Sequence, residues 1–170
     1  MVTVRAALGE SDLDDAFDVR FATFVMEQGV SMDGERDDVD DDPSTLHVVA
    51  YVDNGTCVGV GRLVAPGSDV VHGLGTGHGH MDPSVPHIGR VAVSRASRGT
   101  GVGRAVMAFL EREAVVRYGR GGTVRVELSS QEHAIPFYQR IGYTPYGEPY
   151  LDEGILHRDA YKDVRALPFD

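Results

Sequence analysis

Residues 98–103 read RGTGVG and lie between a strand-like segment, IGRVAV at residues 88–93, and a helix-like segment that begins near Val102. The glycines therefore fall on a strand-to-helix turn, where residues without a Cβ atom allow positive φ and a close approach of the backbone to a ligand. The free N–H groups and the dipole at the start of a helix favour an anion there. The sequence thus predicts a turn that binds a diphosphate, and the alternative is a tight connection without a ligand.

Two better-known phosphate-binding motifs are excluded by their spacing. A Walker-type loop ends in lysine followed by serine or threonine, whereas the one lysine of this chain, Lys162, lies far downstream. The dinucleotide-binding fingerprint spaces its glycines as G-x-G-x-x-G and has an acidic residue about 20 positions later. Here the glycines at 99, 101 and 103 are evenly spaced, and the later position is occupied by Thr123.

A second informative segment, QEHAIPFYQRIGY at residues 131–143, follows at a suitable distance. An R-x-x-G-x-G turn after a strand, followed by A-x-x-F-Y-x-x-x-G-[FY], resembles the GNAT superfamily of acyl-CoA-dependent N-acyltransferases. Within it the chain is most similar to the ElaA-like branch, through RFATFVMEQ at residues 20–28, an acidic run that ends in His47, and GILH at residues 154–157. The resemblance covers about residues 15–165.

The resemblance implies a single GNAT-like domain over residues 1–170, of the α/β (α+β) class. Its sheet is expected to be mixed and mostly antiparallel, splayed at the acyl-CoA site and flanked by helices. The apolar pattern predicts strands at 3–7, 46–52, 57–64, 88–93 and 123–128, and a final hairpin within 149–167. It predicts helices from Ser11, with Asp14 as a capping-box partner, to Gly29, and over 102–118 and 134–140, with a long loop at 66–86.

The composition is ordinary for a globular protein, with 42% hydrophobic and 25% charged residues. No apolar stretch approaches the ~20 residues of a membrane span, and the N-terminus reads as a strand rather than a signal peptide, so we expect a cytoplasmic protein without a membrane partner. The net charge of −10 argues against a nucleic-acid partner, which requires clustered lysine and arginine. The single cysteine, Cys57, is expected to be a buried thiol rather than a nucleophile.

An acidic run occupies residues 33–42, and Arg36 is the one cation within it. Two interpretations stay open: a solvated, mobile loop, as charge runs usually are, or an acidic rim whose field attracts a cationic amine. The histidines of the 66–86 loop, above all His78 and His80, suggest a metal, but they lack a helical frame and cysteine partners. We therefore expect no metal site.

The resemblance implies acetyl-CoA as the co-substrate. The backbone of the strand at 91–93 is expected to pair with the pantetheine arm and to bring donors to the oxyanion of the reacting thioester. The diphosphate is expected at the glycine-rich turn. The residues expected to bind the coenzyme are Val91, Ala92, Val93, Arg98, Gly99, Thr100, Gly101, Val102, Gly103 and Arg104.

Acyl transfer from a thioester to an amine needs a base for the amine, and an acid for the departing thiolate accelerates it. Tyr138 is the candidate acid, because the resemblance puts the matching tyrosine near the coenzyme sulfur. The alternative is that Tyr138 is a core aromatic residue beside Phe137.

The base stays open among Glu27, Glu127, His133 and His157. Glu27 is preferred, because it ends the first helix, where the superfamily lines its acceptor pocket. The alternatives for the others are a surface strand acid for Glu127, a helix-cap residue for His133 and a turn residue for His157. The residues expected to contact the acceptor are Gln28, Gln131, His133 and His157, and Gln131 stands where the superfamily usually has asparagine.

The expected function is transfer of an acetyl group from acetyl-CoA to a primary amine on a small molecule or peptide, by direct attack through a tetrahedral intermediate. The spacing of Arg20, Phe24, Glu35 and Asp37 also resembles autoinducer synthases, which use an acyl-carrier-protein donor. The absence of tryptophan and the complete glycine-rich turn favour CoA over that donor. A non-catalytic acyl-CoA sensor is the other alternative, and the choice between monomer and homodimer stays open.

Overall fold

The computed structural model describes residues 1–68 and 80–167. The strands are β1 (Val2–Ala6), β2 (Leu46–Val52), β3 (Cys57–Val64), β4 (His87–Val93), β5 (Thr123–Gln131), β6 (Thr144–Asp152) and β7 (Ile155–Arg165). The α-helices are α1 (Gly9–Arg20), α2 (Met32–Glu35), α3 (Val102–Tyr118) and α4 (Ile135–Arg140). A π-helix spans Phe21–Glu27, and 3₁₀-helices span Asp38–Asp41, Arg95–Ser97 and Glu132–Ala134.

The strands form one sheet in the order β1-β2-β3-β4-β5-β7-β6. The pairs β1/β2, β2/β3, β5/β7 and β6/β7 are antiparallel. β4 and β5 are parallel where His87 pairs with Glu127. The expected mixed, mostly antiparallel sheet flanked by helices is therefore confirmed, and its splay stays a prediction.

The chain divides into two compact units. The first comprises Met1–Leu63 and Gly89–Leu110, and the second comprises Val64–Ile88 and Glu111–Asp170. The core of the first unit joins helix and sheet through Ala16, Val19, Val49, Val60 and Ala92. In the second unit, the buried apolar side chains of β5 and β7 are Val126, Leu128, Ala160 and Val164.

Two glycines of β3 let α3 pack closely in the first unit. A Cβ atom built on Gly59 would lie 2.7 Å from Cγ1 of Val102, and one built on Gly61 would lie 2.7 Å from Cδ1 of Leu110. A larger residue at either position would push the helix away, since packed interiors leave no room for such approaches. This contact fixes the first half of α3, and with it the turn at residues 98–101.

The second unit is built on a long antiparallel ladder. β5 pairs with β7 from Thr123, opposite Arg165, to Gln131, opposite His157. α4 follows closely after β5 and carries Pro136 in its first turn, where a missing N–H is tolerated. The end of β5 and the start of α4 therefore place Gln131, His133 and Tyr138 in one short stretch.

The first helix differs from its prediction. It begins at Gly9 rather than Ser11, and no side chain caps its N-terminus. Asp12 accepts a hydrogen bond from the N–H of Leu8 at 2.6 Å, so this carboxylate serves the first turn instead. The α-helix ends at Arg20 and continues as a π-helix to Glu27, while Gly29 has the expected left-handed conformation, with φ of +73°.

Other bounds agree more closely. β2, β3 and α3 have the predicted bounds, β5 continues three residues further to Gln131, and the final hairpin begins earlier, at Thr144. Of the predicted loop at 66–86, residues 69–79 lie outside the described residues, together with His72 and His78.

Candidate active site

The glycine-rich turn has the predicted conformation. Gly99 has φ of +76° and Gly101 has φ of +91°, and both residues are exposed. A Cβ atom at either position would meet nothing within 4 Å, so open space lies beside the backbone. The N–H of Ala105 donates to the carbonyl of Gly101 at 3.0 Å. The amides before Ala105 are those that a helix leaves without an internal partner, and α3 behind them is 17 residues long.

Arginines surround this turn. Nε of Arg98 donates to the carbonyl of Val93 at 2.9 Å, and its Nη2 donates to Oε2 of Glu27 at 2.6 Å. Nε of Arg95 lies 3.6 Å from Oε1 of the same carboxylate. Arg104 lies exposed in the first turn of α3. The protein is strongly acidic as a whole, but this end of α3 is cationic.

Glu27 therefore lies beside the predicted coenzyme turn, in an ion pair with two arginines. Its side chain is 22% exposed and that of Arg98 is 43% exposed, so water has access to the pair. No local sequence pattern predicts this contact, because Glu27 and Arg98 lie 71 positions apart. The clustering of Arg95, Arg98 and Arg104 in an acidic chain was the available signal.

The strand expected to receive the pantetheine arm is the second half of β4. Val91 and Val93 are half-buried and Ala92 is buried. The N–H of Ser94, directly after β4, donates to the carbonyl of Val58 at 2.8 Å. Because Arg98 already bonds the carbonyl of Val93, the strand and the glycine-rich turn are linked by a side chain.

The acidic run is not simply a solvated loop. Its members Glu35 and Asp40 are buried, and three arginines from other parts of the first unit pair with carboxylates of the segment. The network consists of Arg20, Arg62 and Arg90 with Glu35, Asp37 and Asp40. Arg36 is the one cation within the run, but the arginines that pair with its buried carboxylates come from outside it.

Asp40 is the centre of this network. It accepts from Arg20 through Nη1 at 2.7 Å and Nη2 at 2.9 Å, and from Nη1 of Arg62 at 2.9 Å. Burial disfavours the charge, but the hydrogen bond from Arg20 and the charges of both arginines outweigh it and hold the pKa of Asp40 well below its usual range. Asp33, Asp38 and Asp41 are exposed, and Asp41 lies 3.8 Å from Arg36.

Tyr138 lies on α4 in the second unit and is half-buried. Its ring makes edge contacts with Phe137, at a centroid distance of 5.1 Å, and with Tyr143, at 5.7 Å. Burial raises the pKa of Tyr138 to about 12. Within residues 1–68 and 80–167 its hydroxyl has no hydrogen-bond partner, whereas that of Tyr143 donates to Glu111 at 3.2 Å. Tyr138 thus combines aromatic packing with a protonated hydroxyl free to donate.

The predicted acceptor residues of the second unit lie close in its fold. Gln131 is opposite His157 in the β5/β7 ladder, and His133 is exposed in the 3₁₀-helix that follows β5. His157 is a strand residue rather than a turn residue. Its Nδ1 lies 2.7 Å from the carbonyl of Ile155, and its ring stacks on Tyr150 at 6.0 Å. Gln28, of the first unit, follows directly after the π-helix.

Glu127 is buried rather than a surface strand acid, with 1% of its surface exposed. It accepts from the hydroxyl of Tyr146, from Nε of Arg125 at 3.1 Å and from the N–H of Asp82 at 3.4 Å. These bonds use the acceptor capacity of a carboxylate that is too deeply buried to reach an amine. This argues against Glu127 as a direct base.

A buried carboxylate that the sequence did not predict lies on β7, the strand next to β5 and Glu127. Asp159 accepts from the hydroxyl of Tyr150 at 2.6 Å, and burial raises its pKa. Asp159 lies opposite Ser129 in the β5/β7 ladder, and Ser129 also contacts Tyr150. The alternation of polar residues at 157, 159 and 161 was the signal that these side chains share one face of the sheet.

The remaining predictions concern the thiol, metals and membranes. Cys57 is half-buried rather than buried, and burial raises its pKa. In the part of the chain that the structure describes, no group of three His, Cys, Asp or Glu side chains could hold a metal ion. Over the same residues, no helix is both long and apolar enough to span a membrane.

Comparison with known proteins gives consistent results. Residues 13–162 match the acetyltransferase (GNAT) domain family. The chain is 34% identical to the uncharacterized N-acetyltransferase YjcF of Bacillus subtilis over 158 residues, which cover 92% of this chain and 96% of YjcF. It is 30% identical to protein ElaA of Escherichia coli over 161 residues, covering 94% of this chain and 93% of ElaA.

Solved structures agree with these sequence matches. The crystal structure of Escherichia coli ElaA has a TM-score of 0.75 at 25% identity, covering 95% of this chain and 99% of that one. An acyl-CoA N-acyltransferase from Pseudomonas aeruginosa has a TM-score of 0.74 at 28% identity, covering 95% of this chain and 98% of the other. With a family match over most of its length, the chain belongs to the GNAT acetyltransferases, in their ElaA-like branch.

Proposed function

We propose that this protein transfers an acetyl group from acetyl-CoA to a primary amine on a small molecule or peptide. The amine attacks the thioester directly, through a tetrahedral intermediate, within a single acyltransferase domain over residues 1–170. The observation that carries the proposal is the turn before α3, where Gly99 and Gly101 have positive φ and open space beside them. Family membership supports the reaction type.

The residues at this turn fit a coenzyme diphosphate. The first-turn amides of α3, from Val102 to Arg104, supply donors and the positive end of a helix dipole. Arg98 and Arg104 add side-chain charge. The coenzyme supplies the thioester, and the backbone at 91–93 is proposed to bind the pantetheine arm.

Tyr138 is proposed to donate a proton to the leaving thiolate. Its free hydroxyl supports this role, and because burial raises its pKa to about 12, the proton is present at neutral pH. A residue that serves only in core packing would need no hydroxyl. The ring contacts of Tyr138 show that it packs in the core as well.

Glu27 is proposed to orient the amine or to accept its proton, directly or through water. Its pairing with Arg98 brings an added consequence, because coenzyme phosphates would compete with Glu27 for that arginine. Gln28, Gln131, His133 and His157 are proposed to contact the acceptor. The exposed members of the acidic run, Asp33, Asp38 and Asp41, favour a cationic acceptor.

The experiment that tests the proposal compares two glycine variants. Gly101→Glu adds bulk and negative charge at the turn and should abolish acetyl-CoA binding and thiol release over a panel of amines. Gly55→Glu is the matched control, because Gly55 also has positive φ, +85°, and open space around a built Cβ. It should share the loss of stability and keep the binding.

Unchanged affinity of a folded Gly101→Glu variant in calorimetry would contradict the proposal. Binding of CoA without turnover of any amine would favour the sensor alternative. Turnover with an acyl-carrier-protein donor but not with acetyl-CoA would favour the autoinducer-synthase alternative. The expected cytoplasmic location and the choice between monomer and homodimer stay predictions.

A further inference from the structure

β4 contains a non-glycine residue in the left-handed conformation. Arg90 has φ of +52°, and among the described residues the other non-glycine with positive φ is Glu153, in the turn between β6 and β7. Side chains with a Cβ atom rarely adopt this conformation within a strand unless surrounding contacts hold it. The bend in β4 therefore requires an anchor.

The guanidinium of Arg90 provides that anchor. Its Nε donates to the carbonyl of Glu35 at 3.0 Å, and its Nη2 lies 3.3 Å from both the carbonyl of Gly34 and Oδ2 of Asp37. A planar guanidinium can donate in several fixed directions at once, whereas the ammonium of lysine is a compact point charge. Two of the three acceptors are the backbone carbonyls of Gly34 and Glu35. Arg90 therefore binds the backbone of this segment in addition to a carboxylate.

The segment that Arg90 contacts is itself fixed. Nη2 of Arg20 donates to the same carbonyl of Glu35 at 2.9 Å, and the Arg20 side chain is 2% exposed. Arg62 holds Asp37 through two bonds, of 2.7 and 3.0 Å. Arg90 is the outermost of the three arginines, with 28% of its side chain exposed. It therefore connects β4 to a segment that two further arginines hold by hydrogen bonds.

We propose that Arg90 is a positioning residue for acyl transfer: by anchoring the left-handed bend of β4, it sets the path of the backbone at 91–93. This inference rests on the proposed function, in which that backbone receives the pantetheine arm and the thioester carbonyl. A misplacement of about 1 Å at a reacting centre costs on the order of 10²-fold in rate, so a small shift of this strand is sufficient.

Two substitutions separate the anchor from the backbone strain. Arg90→Gly and Arg90→Ala both remove the guanidinium, but only glycine adopts φ near +52° without strain. We expect Arg90→Gly to unfold at a temperature equal to or above that of Arg90→Ala. Both should nevertheless lose kcat by roughly ten- to a hundredfold, with acetyl-CoA affinity nearly unchanged. Arg90→Lys should show the same loss.

A second measurement needs no turnover. Amide hydrogen exchange at residues 91–93 of the free protein should be faster in Arg90→Gly than in the wild type, with exchange in β2 unchanged. Wild-type kcat or wild-type exchange in Arg90→Gly would overturn the inference, because the bend alone would then be sufficient. Failure of the wild-type protein to bind acetyl-CoA would instead overturn the proposed function, and this inference with it.

Discussion

Glu27→Gln removes a carboxylate that lies 2.6 Å from Arg98 and 3.6 Å from Arg95. Both arginines lie beside the turn proposed to bind the coenzyme diphosphate, so the carboxylate and the diphosphate compete for the same cations. The substitution keeps the size of the side chain and removes its charge. We therefore expect two effects in opposite directions: tighter binding of acetyl-CoA and slower turnover.

The size of the binding effect follows from the exposure of the pair. The side chains of Arg98 and Glu27 are 43% and 22% exposed, so solvent screening limits the pair to ~0.5–1 kcal/mol. If that amount no longer opposes the coenzyme, its affinity rises by about two- to fivefold at low salt. The gain should disappear at about 1 M salt, where the Debye length is ~3 Å. Loss of a general base should lower kcat by ~10²-fold or more.

Calorimetric titration with acetyl-CoA at low and high salt, together with release of the CoA thiol during turnover, measures both effects. Glu113→Gln is the matched control, because it removes a carboxylate 3.3 Å from Arg117 at similar exposure. This control should alter neither quantity. Weaker binding by Glu27→Gln would show that Glu27 orients Arg98 for the phosphate instead of competing with it. A wild-type kcat would remove Glu27 as the base.

Tyr138→Phe should lower kcat by roughly ten- to a thousandfold at nearly constant acetyl-CoA affinity. Because burial raises the pKa of Tyr138 to about 12, the kcat of the wild-type enzyme should not decline near pH 10. Such a decline, or a variant with the kcat of the wild type, would refute the acid role. Asp40→Asn should cost about 1.5–3 kcal/mol of unfolding free energy at neutral pH, because Arg20 and Arg62 each lose one of two carboxylate partners and keep Glu35 or Asp37. The ion pairs hold the pKa of Asp40 below its usual range, so its stabilisation is present above about pH 4 and is lost as pH falls. In urea unfolding, the free energies of the wild type and the variant should therefore converge in acid. A difference that stays constant with pH would contradict this. Replacement of Asp33, Asp38 and Asp41 by asparagine in one variant should weaken the salt dependence of kcat/KM for a cationic amine at constant kcat. If kcat/KM of the wild type does not depend on salt, these residues are only solvated surface.

The elements that could be predicted from the sequence are those whose signals are local. Asn54 and Gly55 separate two apolar runs, and the β2 and β3 bounds follow because Gly55 takes the positive φ that such a turn requires, +85°. The glycine-rich turn is equally local, since its conformation depends on missing Cβ atoms at Gly99 and Gly101. The first helix was less predictable, because Asp12 in its first turn also accepts a hydrogen bond at 2.9 Å from the hydroxyl of Tyr51, which lies 39 positions away.

The acidic run shows why charges counted along the chain can mislead. Within residues 33–42 the single cation is Arg36, and a solvated segment is the ordinary consequence of such a composition. The arginines that neutralise Asp40 lie 20 and 22 positions away, at distances that no local pattern reveals. Their bonds bury part of the run and leave another part in water, so one stretch of sequence has two physical roles.

The same reasoning applies to the proposed base. Placing Glu27 at the end of the first helix required only a helical pattern and the family resemblance, but its chemistry depends on what the fold brings against it. Nη2 of Arg98 donates a hydrogen bond of 2.6 Å to Glu27, while Nε of the same arginine donates to the carbonyl of Val93. One guanidinium thus contacts the proposed base and the end of the strand proposed to bind the pantetheine arm. A substitution of Arg98 would therefore disturb both at once, whereas Glu27→Gln changes one partner and leaves the bond to the strand in place.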